Sequence, residues 1–147
     1  MTALERDSVN RELIGQWSDA EHLAAIRGEG GREHWIVERE GERAGYLIAY
    51  DRRASGTGIY VKRILVGEKE LGTGTEALRA FLDDAFGRRA ATEVWLIVRD
   101  GNDRARAVYL KLGFVPFEPA AEVAALYDRV NEAPPEKCGR MRITSPR

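Results

Sequence analysis

The first half of the chain alternates short apolar runs with polar turns, a pattern typical of strands in an antiparallel sheet. Runs rich in β-branched and aromatic residues at 34–39 and 44–50 predict two strands, and the polar residues 40–43 between them predict a hairpin turn. After a loop at 54–58, a third strand is predicted at 59–66. Because the three strands are close in sequence, we expect them to form an antiparallel meander.

Helical spacing of apolar residues begins once the third predicted strand has ended. Two stretches carry an apolar stripe at this spacing, and a predicted strand at 93–99 separates them. A strand–helix–strand unit of this length favours parallel pairing through a right-handed crossover. The stripes consist of Leu78, Phe81, Leu82, Ala85 and Phe86 in the first helix, and of Ala105, Val108, Tyr109 and Leu112 in the second, at 103–112.

The two ends of the chain complete the predicted fold. A capping box at 18–21 predicts a helix ahead of the first clear strand. Near the C-terminus, 122–132 predicts another helix, Pro134-Pro135 ends it, and 138–143 predicts a last strand. The pattern therefore predicts an α/β fold with a mixed central sheet, in which antiparallel N-terminal strands meet a parallel crossover.

Composition limits the class of partner. The 147 residues suit a single domain, 1–147, and a net charge of −1 provides no basic field that would attract nucleic acid or an anionic membrane. One cysteine, Cys138, excludes an internal disulfide and a multi-cysteine metal site. The N-terminus lacks the apolar stretch of a signal peptide, and no apolar run is long enough to span a membrane. We therefore expect a cytoplasmic protein.

The most informative chemical signal is a glycine-rich turn, Gly72-Thr73-Gly74-Thr75, which joins the strand at 59–66 to a helix. Glycines let the backbone approach a ligand, and a helix start offers N–H groups and a positive dipole end to a phosphate. An ordinary strand-to-helix connection also explains the turn. A dinucleotide fingerprint is disfavoured because Asp100 comes too late to be its acidic residue, and a Walker loop would need a Gly-Lys-Ser/Thr that the chain lacks.

A second run, from Asn102 to Phe114, reads Asn-x-x-Ala-x-x-x-Tyr and ends in Gly-Phe. Together with the turn, read as Lys69-x-x-Gly72-x-Gly74, it resembles the GNAT superfamily of acyl-CoA-dependent N-acetyltransferases. The resemblance covers 59–114 and extends more weakly upstream, where 17–22 looks like the branch related to the ribosomal-protein alanine acetyltransferases. Lys69 stands where the family usually has Gln or Arg, so it can supply a charge but not the fork of an arginine.

The resemblance implies acetyl-CoA as the co-substrate and places its site around the turn. The pyrophosphate would accept hydrogen bonds from the backbone N–H groups of 71–75, with Lys69 as a nearby cation. The pantetheine arm would pair with the backbone of the strand end 64–66, in a slot where two parallel strands diverge. The residues expected to contact CoA are Ile64, Leu65, Val66, Lys69, Leu71, Gly72, Thr73, Gly74, Thr75, Asn102 and Arg106.

In the implied reaction, an amine attacks the thioester carbonyl and CoA leaves as a thiolate. Tyr109 matches the tyrosine of the family pattern and is the expected proton donor to that sulfur, although its apolar stripe also suits a core residue. Asn102 would either bind the pantetheine arm or cap the helix that follows. The family often has an acidic residue at the position of Tyr60, so here we expect Tyr60 to relay the amine proton through water. Glu33 and Glu38 are alternative bases that no motif places.

Two further departures concern the ends of the family's fold. After Phe114 the family usually has a strand hairpin, whereas this chain predicts a helix that could close over the acceptor site. The first clear strand also comes late, so the family's first strand is expected to be missing or very short. A homodimer would then cover the open strand edge at 34–40, because open edges invite pairing with another chain, or it would form by exchange of the C-terminal strand 138–143 between protomers.

The sequence thus predicts a cytoplasmic N-acetyltransferase that moves an acetyl group from acetyl-CoA to a primary amine of a small molecule or of a protein N-terminus. One alternative is a non-catalytic CoA-binding module, which the absence of an acidic residue at Tyr60 favours. Another is an O-acyl or longer-chain acyltransferase. Binding of CoA without acetyl transfer would indicate the first alternative, and preference among acyl chain lengths would test the second.

Overall fold

The computed structural model describes residues 31–67, 72–130 and 138–146. Six strands and three α-helices lie in these ranges. The strands are β1 (Arg32–Arg39), β2 (Glu42–Asp51), β3 (Ile59–Val66), β4 (Glu93–Arg99), β5 (Val115–Pro116) and β6 (Cys138–Thr144). The helices are α1 (Thr73–Asp83), which continues into a π turn at Asp84–Arg88, α2 (Asp103–Leu112) and α3 (Ala121–Val130).

The six described strands form one mixed sheet in the order β1-β2-β3-β4-β6-β5. Neighbouring strands are antiparallel, except that β3 and β4 run parallel through the crossover that contains α1. The predicted α/β fold, a meander followed by a parallel crossover, is therefore confirmed. The bounds of β3, β4 and α2 are those that the apolar pattern predicts.

One face of the sheet is covered by α1 and α2. Leu47, Ile59 and Val94 of the central strands turn toward this face and pack with the apolar stripe of α1. Leu78 of that stripe is fully buried and Phe81 is nearly so. Burial of one such side chain contributes about 1.5–3 kcal/mol, so the stripe is enough to fix α1 against the sheet.

The opposite face of the sheet is aromatic. Tyr60 and Trp95, which face each other on β3 and β4, stack with their ring centroids 4.3 Å apart. Tyr127 of α3 meets Trp95 edge-on at 4.9 Å, and its hydroxyl donates a hydrogen bond to Glu93 Oε1 at 2.9 Å. The helix predicted after Phe114 is thus present, and it packs on this face.

Some predictions fall on residues outside the described ranges. These are the helix that starts at 18–21, the expected loss of the family's first strand, and the helix break at Pro134-Pro135. Within the described ranges, β1 is the outermost strand on one side of the sheet. None of the described helices combines the length and the apolar character that a membrane crossing requires.

Candidate active site

A slot opens between the two parallel strands at the centre of the sheet. Pairing between β3 and β4 consists of Ile59 with Val94, Tyr60 with Trp95, and Val61 with Leu96. Beyond these pairs β3 continues to Val66 and β4 to Arg99. The two strands therefore diverge toward their carboxyl ends, which is the arrangement predicted for the pantetheine arm.

A β-bulge explains where the divergence begins. Along β2, Ile48 faces Arg63 and the next residue, Ala49, faces Val61, so Lys62 is an extra residue in β3. An extra residue bends its strand. Beyond that residue, the alternation of side chains between the two faces of the sheet is shifted by one position. Val61 accordingly belongs to the helix-covered core, as does Ile64, whereas Tyr60 belongs to the aromatic face. The bulge follows directly after the last β3–β4 pair, and sequence reasoning did not find it.

The strand end beyond the bulge is held by β2 on one side. Leu65 pairs with Tyr46 and Val66 pairs with Gly45. A Cβ built on Gly45 would lie 2.0 Å from the carbonyl oxygen of Leu65, so only glycine permits this close approach. The segment 64–66 is thus fixed with its other backbone edge toward the slot, as its predicted contact with pantetheine requires.

The helix α1 starts at the carboxyl end of β3 without a side-chain cap. Its N-cap residue, Gly72, has a left-handed backbone with φ of 74° and no side chain that could accept from the first turn. By contrast, α2 is capped by Asn102, whose side chain accepts a hydrogen bond from the N–H of Ala105 at 3.3 Å. Within the described residues, Gly72 therefore provides no side-chain cap for the first-turn N–H groups of α1, and a Cβ built on Gly74 in that turn would lie 3.9 Å from Val66 Cγ2 of β3.

A contact from the edge of the sheet reaches the same helix start. Arg39, the last residue of β1, donates a hydrogen bond from Nη1 to Thr73 Oγ1 at 3.0 Å. Thr73 is almost fully buried. Arg39 was not among the predicted site residues, because a side chain 34 positions away in sequence leaves no local signal at the turn.

Tyr60 pairs with Trp95, one pair before the slot begins. It is almost fully buried, and its ring also meets Tyr50 edge-on at 5.8 Å. Burial is the main cause that raises the pKa of Tyr60 far above its ordinary value; Tyr50 and Tyr109 add to the rise, and the nearby Arg63 opposes it. The hydroxyl of Tyr60 therefore stays protonated, which suits a proton relay and excludes a standing phenolate base.

Tyr109 approaches from the helix-covered face. It belongs to α2, packs against the core of that face and lies with its ring centroid 5.8 Å from that of Phe114. Burial raises the pKa of Tyr109 to about 12. Tyr60, by contrast, packs in the aromatic cluster on the opposite face of the sheet. The structure thus places the two predicted catalytic residues on opposite faces of the sheet, and their joint role in the reaction stays a prediction.

The remaining predicted residues divide into several groups. Asn102 acts as a helix cap, one of its two expected roles. The guanidinium of Arg106 lies over the last strand, 3.9 Å from a Cβ built on Gly139, so its contact with CoA phosphates stays a prediction. Lys69 and Leu71 are outside the described residues.

The two alternative carboxylate bases both lie on β1, and β2 separates that strand from the slot strand β3. Glu33 accepts two hydrogen bonds from Arg89 Nη1, at 2.6 and 2.7 Å. Arg89 also contacts Asp84, at 3.0 Å, so this network ties β1 to the end of α1 opposite the glycine turn. Glu38 is exposed on β1. Neither residue belongs to the strands that form the slot.

The described ranges contain no group of three or more His, Cys, Asp or Glu side chains that is placed to hold a metal ion. Cys138, at the start of β6, is a free thiol. Burial raises the pKa of the Cys138 thiol, so the residue lacks the thiolate character of a nucleophile.

Comparison with protein families gives one clear match. The sequence model of the acetyltransferase (GNAT) family matches residues 4–114, which include the turn, the slot strands and the second motif. No curated protein sequence matches the chain significantly.

Several solved structures share the fold. AAC(6')-Ib in complex with paromomycin and acetyl-CoA is 20% identical with a TM-score of 0.72, over 97% of this chain and 85% of that one. Ard1 from Thermoplasma volcanium is 19% identical with a TM-score of 0.71, over 100% of this chain and 90% of that one. A variant of spermidine N-acetyltransferase SpeG from Vibrio cholerae is 19% identical with a TM-score of 0.66, over 97% and 86%. At these identities the likeness shows a common fold.

Proposed function

We propose that this chain, which belongs to the acetyltransferase (GNAT) family, transfers an acetyl group from acetyl-CoA to a primary amine. The observation that carries this proposal is the uncapped start of α1 beside the slot between β3 and β4. A helix start without a cap is a site for an anion, and the slot beside it suits an extended arm. CoA has both parts, a pyrophosphate and a pantetheine arm.

The pyrophosphate would lie on the first turn of α1. Gly72 keeps the approach open, because no described residue lies within 4 Å of the position that its Cβ would occupy. The N–H groups of Thr73, Gly74 and Thr75 would then donate to phosphate oxygens, aided by the positive end of the helix dipole. Leu71 and Lys69 remain part of the proposed site on the strength of the family motif.

The pantetheine arm would extend into the slot along 64–66. Its amide groups would pair with the backbone edge that faces away from β2, so that the arm adds a short strand to the sheet. The thioester would then reach the point where β3 and β4 meet, near Val61 and Leu96. There it would lie between the two faces of the sheet that carry Tyr60 and Tyr109.

In the proposed reaction the neutral amine attacks the carbonyl carbon of the thioester. A C–N bond forms, the C–S bond breaks as the tetrahedral oxyanion collapses, and the amine gives its proton to water through Tyr60. An ordinary thiol has a pKa of about 8.5, well below the pKa of about 12 of Tyr109. Tyr109 would therefore stabilise the leaving thiolate by donating a hydrogen bond to it without losing its own proton.

For the acceptor we propose a primary amine of a small molecule or of a protein N-terminus. Proteins of the same fold include a spermidine N-acetyltransferase and an aminoglycoside acetyltransferase crystallised with coenzyme A and kanamycin. These relatives motivate a panel that contains spermidine, kanamycin and short peptides with free N-termini. Acetyl-CoA consumption with acetylated product identified by mass spectrometry is the expected result for at least one class.

The same panel separates the enzyme from its alternatives. A chain that binds CoA tightly yet acetylates none of these amines, even at alkaline pH, would contradict the proposed transfer and favour a binding module. Preference for a longer acyl-CoA would contradict acetyl-CoA as the donor. Preference for a hydroxyl acceptor would contradict an amine as the acceptor. The direct readout is product mass, because thiol release alone also reports hydrolysis.

We also propose a homodimer that uses the outermost described strand, β1. Trp35 and Ile36 on this strand are 38% and 43% exposed, so they would supply apolar surface to such a contact. Light scattering should therefore give the mass of two chains, and Ile36→Lys should shift the protein toward one. A single-chain mass for the unmodified protein at high concentration would contradict the dimer.

A further inference from the structure

The start of α1 needs support from outside its own sequence. Gly72 provides no side-chain cap, and glycine costs more conformational entropy on ordering than any other residue. The main-chain bond from the N–H of Glu76 to the carbonyl of Gly72, at 3.0 Å, closes the first turn but does not fix its position on the sheet. The proposed phosphate site requires that position to be fixed, because its N–H groups must point at one place.

Arg39 provides a contact that fixes it. Its Nη1 donates to Thr73 Oγ1 at 3.0 Å, and Thr73 is 5% exposed, so the bond holds a buried side chain of the first turn. Arg39 ends β1, which is joined to the slot strand β3 only through β2. The bond therefore ties the helix start to the outer part of the sheet.

Arg39 also balances a charge in the same turn. Glu76 Oε2 lies 3.7 Å from Arg39 Nη1. A carboxylate in the first turn favours the helix but repels a phosphate placed at the helix start. The guanidinium reduces this repulsion, and it adds positive charge close to the proposed pyrophosphate. The Glu76 side chain is largely exposed, so the effect of this pair is small and depends on salt.

We infer that Arg39 is a positioning residue for the pyrophosphate of the acyl donor, acting through Thr73 and by offsetting Glu76. The inference rests on the proposed function, and it goes beyond the turn by assigning a role to a residue of β1. Arg39 touches the helix and not the reacting atoms. Its loss should therefore weaken donor binding and leave the chemical step largely intact.

The test compares two donors that share the thioester. Acetyl-CoA carries the pyrophosphate, and acetyl-pantetheine lacks it. For Arg39→Ala, KM for acetyl-CoA should rise about five- to twentyfold while kcat changes less than about twofold. With acetyl-pantetheine, kcat/KM should be unchanged. Arg79→Ala, which removes an exposed charge from the same helix, is the matched control and should behave like the unmodified protein with both donors.

Two further variants separate the hydrogen bond from the charge. Thr73→Val keeps Arg39 but removes its acceptor, and should give part of the rise in KM for acetyl-CoA. Glu76→Gln placed in Arg39→Ala should recover part of the lost affinity, because it removes the uncompensated carboxylate. Arg39→Lys keeps the charge without the guanidinium fork and should fall between Arg39→Ala and the unmodified protein.

The results distinguish failure of the positioning role from failure of the proposed function. An unchanged KM for acetyl-CoA in Arg39→Ala, or an equal loss with both donors, would overturn the positioning role. If Arg39→Ala lowers the melting temperature, the kinetics with the two donors are compared in Arg39→Lys and Thr73→Val instead. Failure of the unmodified protein to bind CoA by calorimetry would instead contradict the proposed function, so the two failures are distinguishable.

Discussion

Tyr109 packs against the apolar core of the helix-covered face, and burial raises its pKa to about 12. A phenol in this state remains a hydrogen-bond donor at every pH at which the protein would work. The same side chain also contributes packing against Phe114. Its two roles can be separated, because phenylalanine retains the ring and loses only the hydroxyl.

We predict that Tyr109→Phe lowers kcat by about ten- to a thousandfold, since it removes the donor to the leaving sulfur. The dissociation constant of CoA should change little, because almost no contact surface is lost. Steady-state kinetics together with calorimetry check both values. Turnover equal to that of the unmodified protein would make Tyr109 a packing residue only.

The pH dependence of the activity follows from the raised pKa values of the two tyrosines. Because the pKa of Tyr109 is raised to about 12, both it and Tyr60 keep their protons as the pH rises to about 10, and neither should produce a fall in activity there. The neutral fraction of the acceptor amine increases over that range, so kcat/KM should rise with pH up to the pKa of the amine.

Three variants check this assignment in a pH–rate profile. Tyr60→Phe should lower the rate on the rising part of the profile, whereas Glu33→Gln and Glu38→Gln should not. A silent Tyr60→Phe combined with an inactive Glu33→Gln or Glu38→Gln would show that a carboxylate is the base. Glu33→Gln also breaks the ion pair with Arg89, so its melting temperature serves as the control for folding.

At the scale of elements, the two helices that follow the slot strands differ in how they begin. The side chain of Asn102 caps α2, while α1 begins at Gly72 with its first turn uncapped. The difference is meaningful because both helices cover the same face and have similar lengths. It identifies α1 as the helix whose first turn is available to an anion.

We predict that Gly74→Val abolishes CoA binding while the fold survives. A Cβ at Gly74 would lie 3.9 Å from Val66 Cγ2, an ordinary contact, so the protein can accommodate the side chain. The branched side chain would instead obstruct the close approach of the pyrophosphate. Calorimetry with CoA checks the loss. Gly87→Val, an exposed change after α1 with open space around it, is the matched control. Normal CoA affinity in a folded Gly74→Val protein would remove the proposed phosphate site.

Tyr127 joins α3 to the aromatic face, and the neighbouring Asp128 pairs with Arg140 of β6. The tyrosine ring contacts Trp95 and Phe117, with centroids 4.9 and 5.5 Å away, and its hydroxyl donates to Glu93. We predict that Tyr127→Phe lowers the free energy of unfolding by about 0.5–1.5 kcal/mol, and Tyr127→Ala by about 3–5 kcal/mol. Urea unfolding checks both values. Equal effects of the two variants would show that the hydrogen bond, and not the ring packing, holds the helix.

The elements themselves could be predicted, because each is encoded locally. Alternation marks β3, and helical spacing marks α2, so the bounds of both agree with the structure. The extra residue Lys62 and the bond between Arg39 and Thr73 could not be predicted, since both depend on which strands lie side by side. The predicted slot was therefore found by resemblance, and its physical cause, the bulge, became visible only in the fold.

At the scale of the whole molecule, the sheet brings together segments that are distant in sequence. The turn after β3 and the phenol of Tyr109 lie on two helices that cover one face, and Tyr60 faces the other. The proposed reaction requires only that the slot connect these groups. A donor bound along it would place its phosphates on α1 and its thioester between the two tyrosines.

The proposed donor site, at the start of α1 and in the slot, is best tested by a crystal structure of the unmodified protein with bound CoA. We predict pyrophosphate oxygens within hydrogen-bond distance of the N–H groups of Thr73, Gly74 and Thr75. The pantetheine should lie between β3 and β4, with its sulfur near Tyr109. CoA bound outside the slot, or with its phosphates away from the start of α1, would contradict the account.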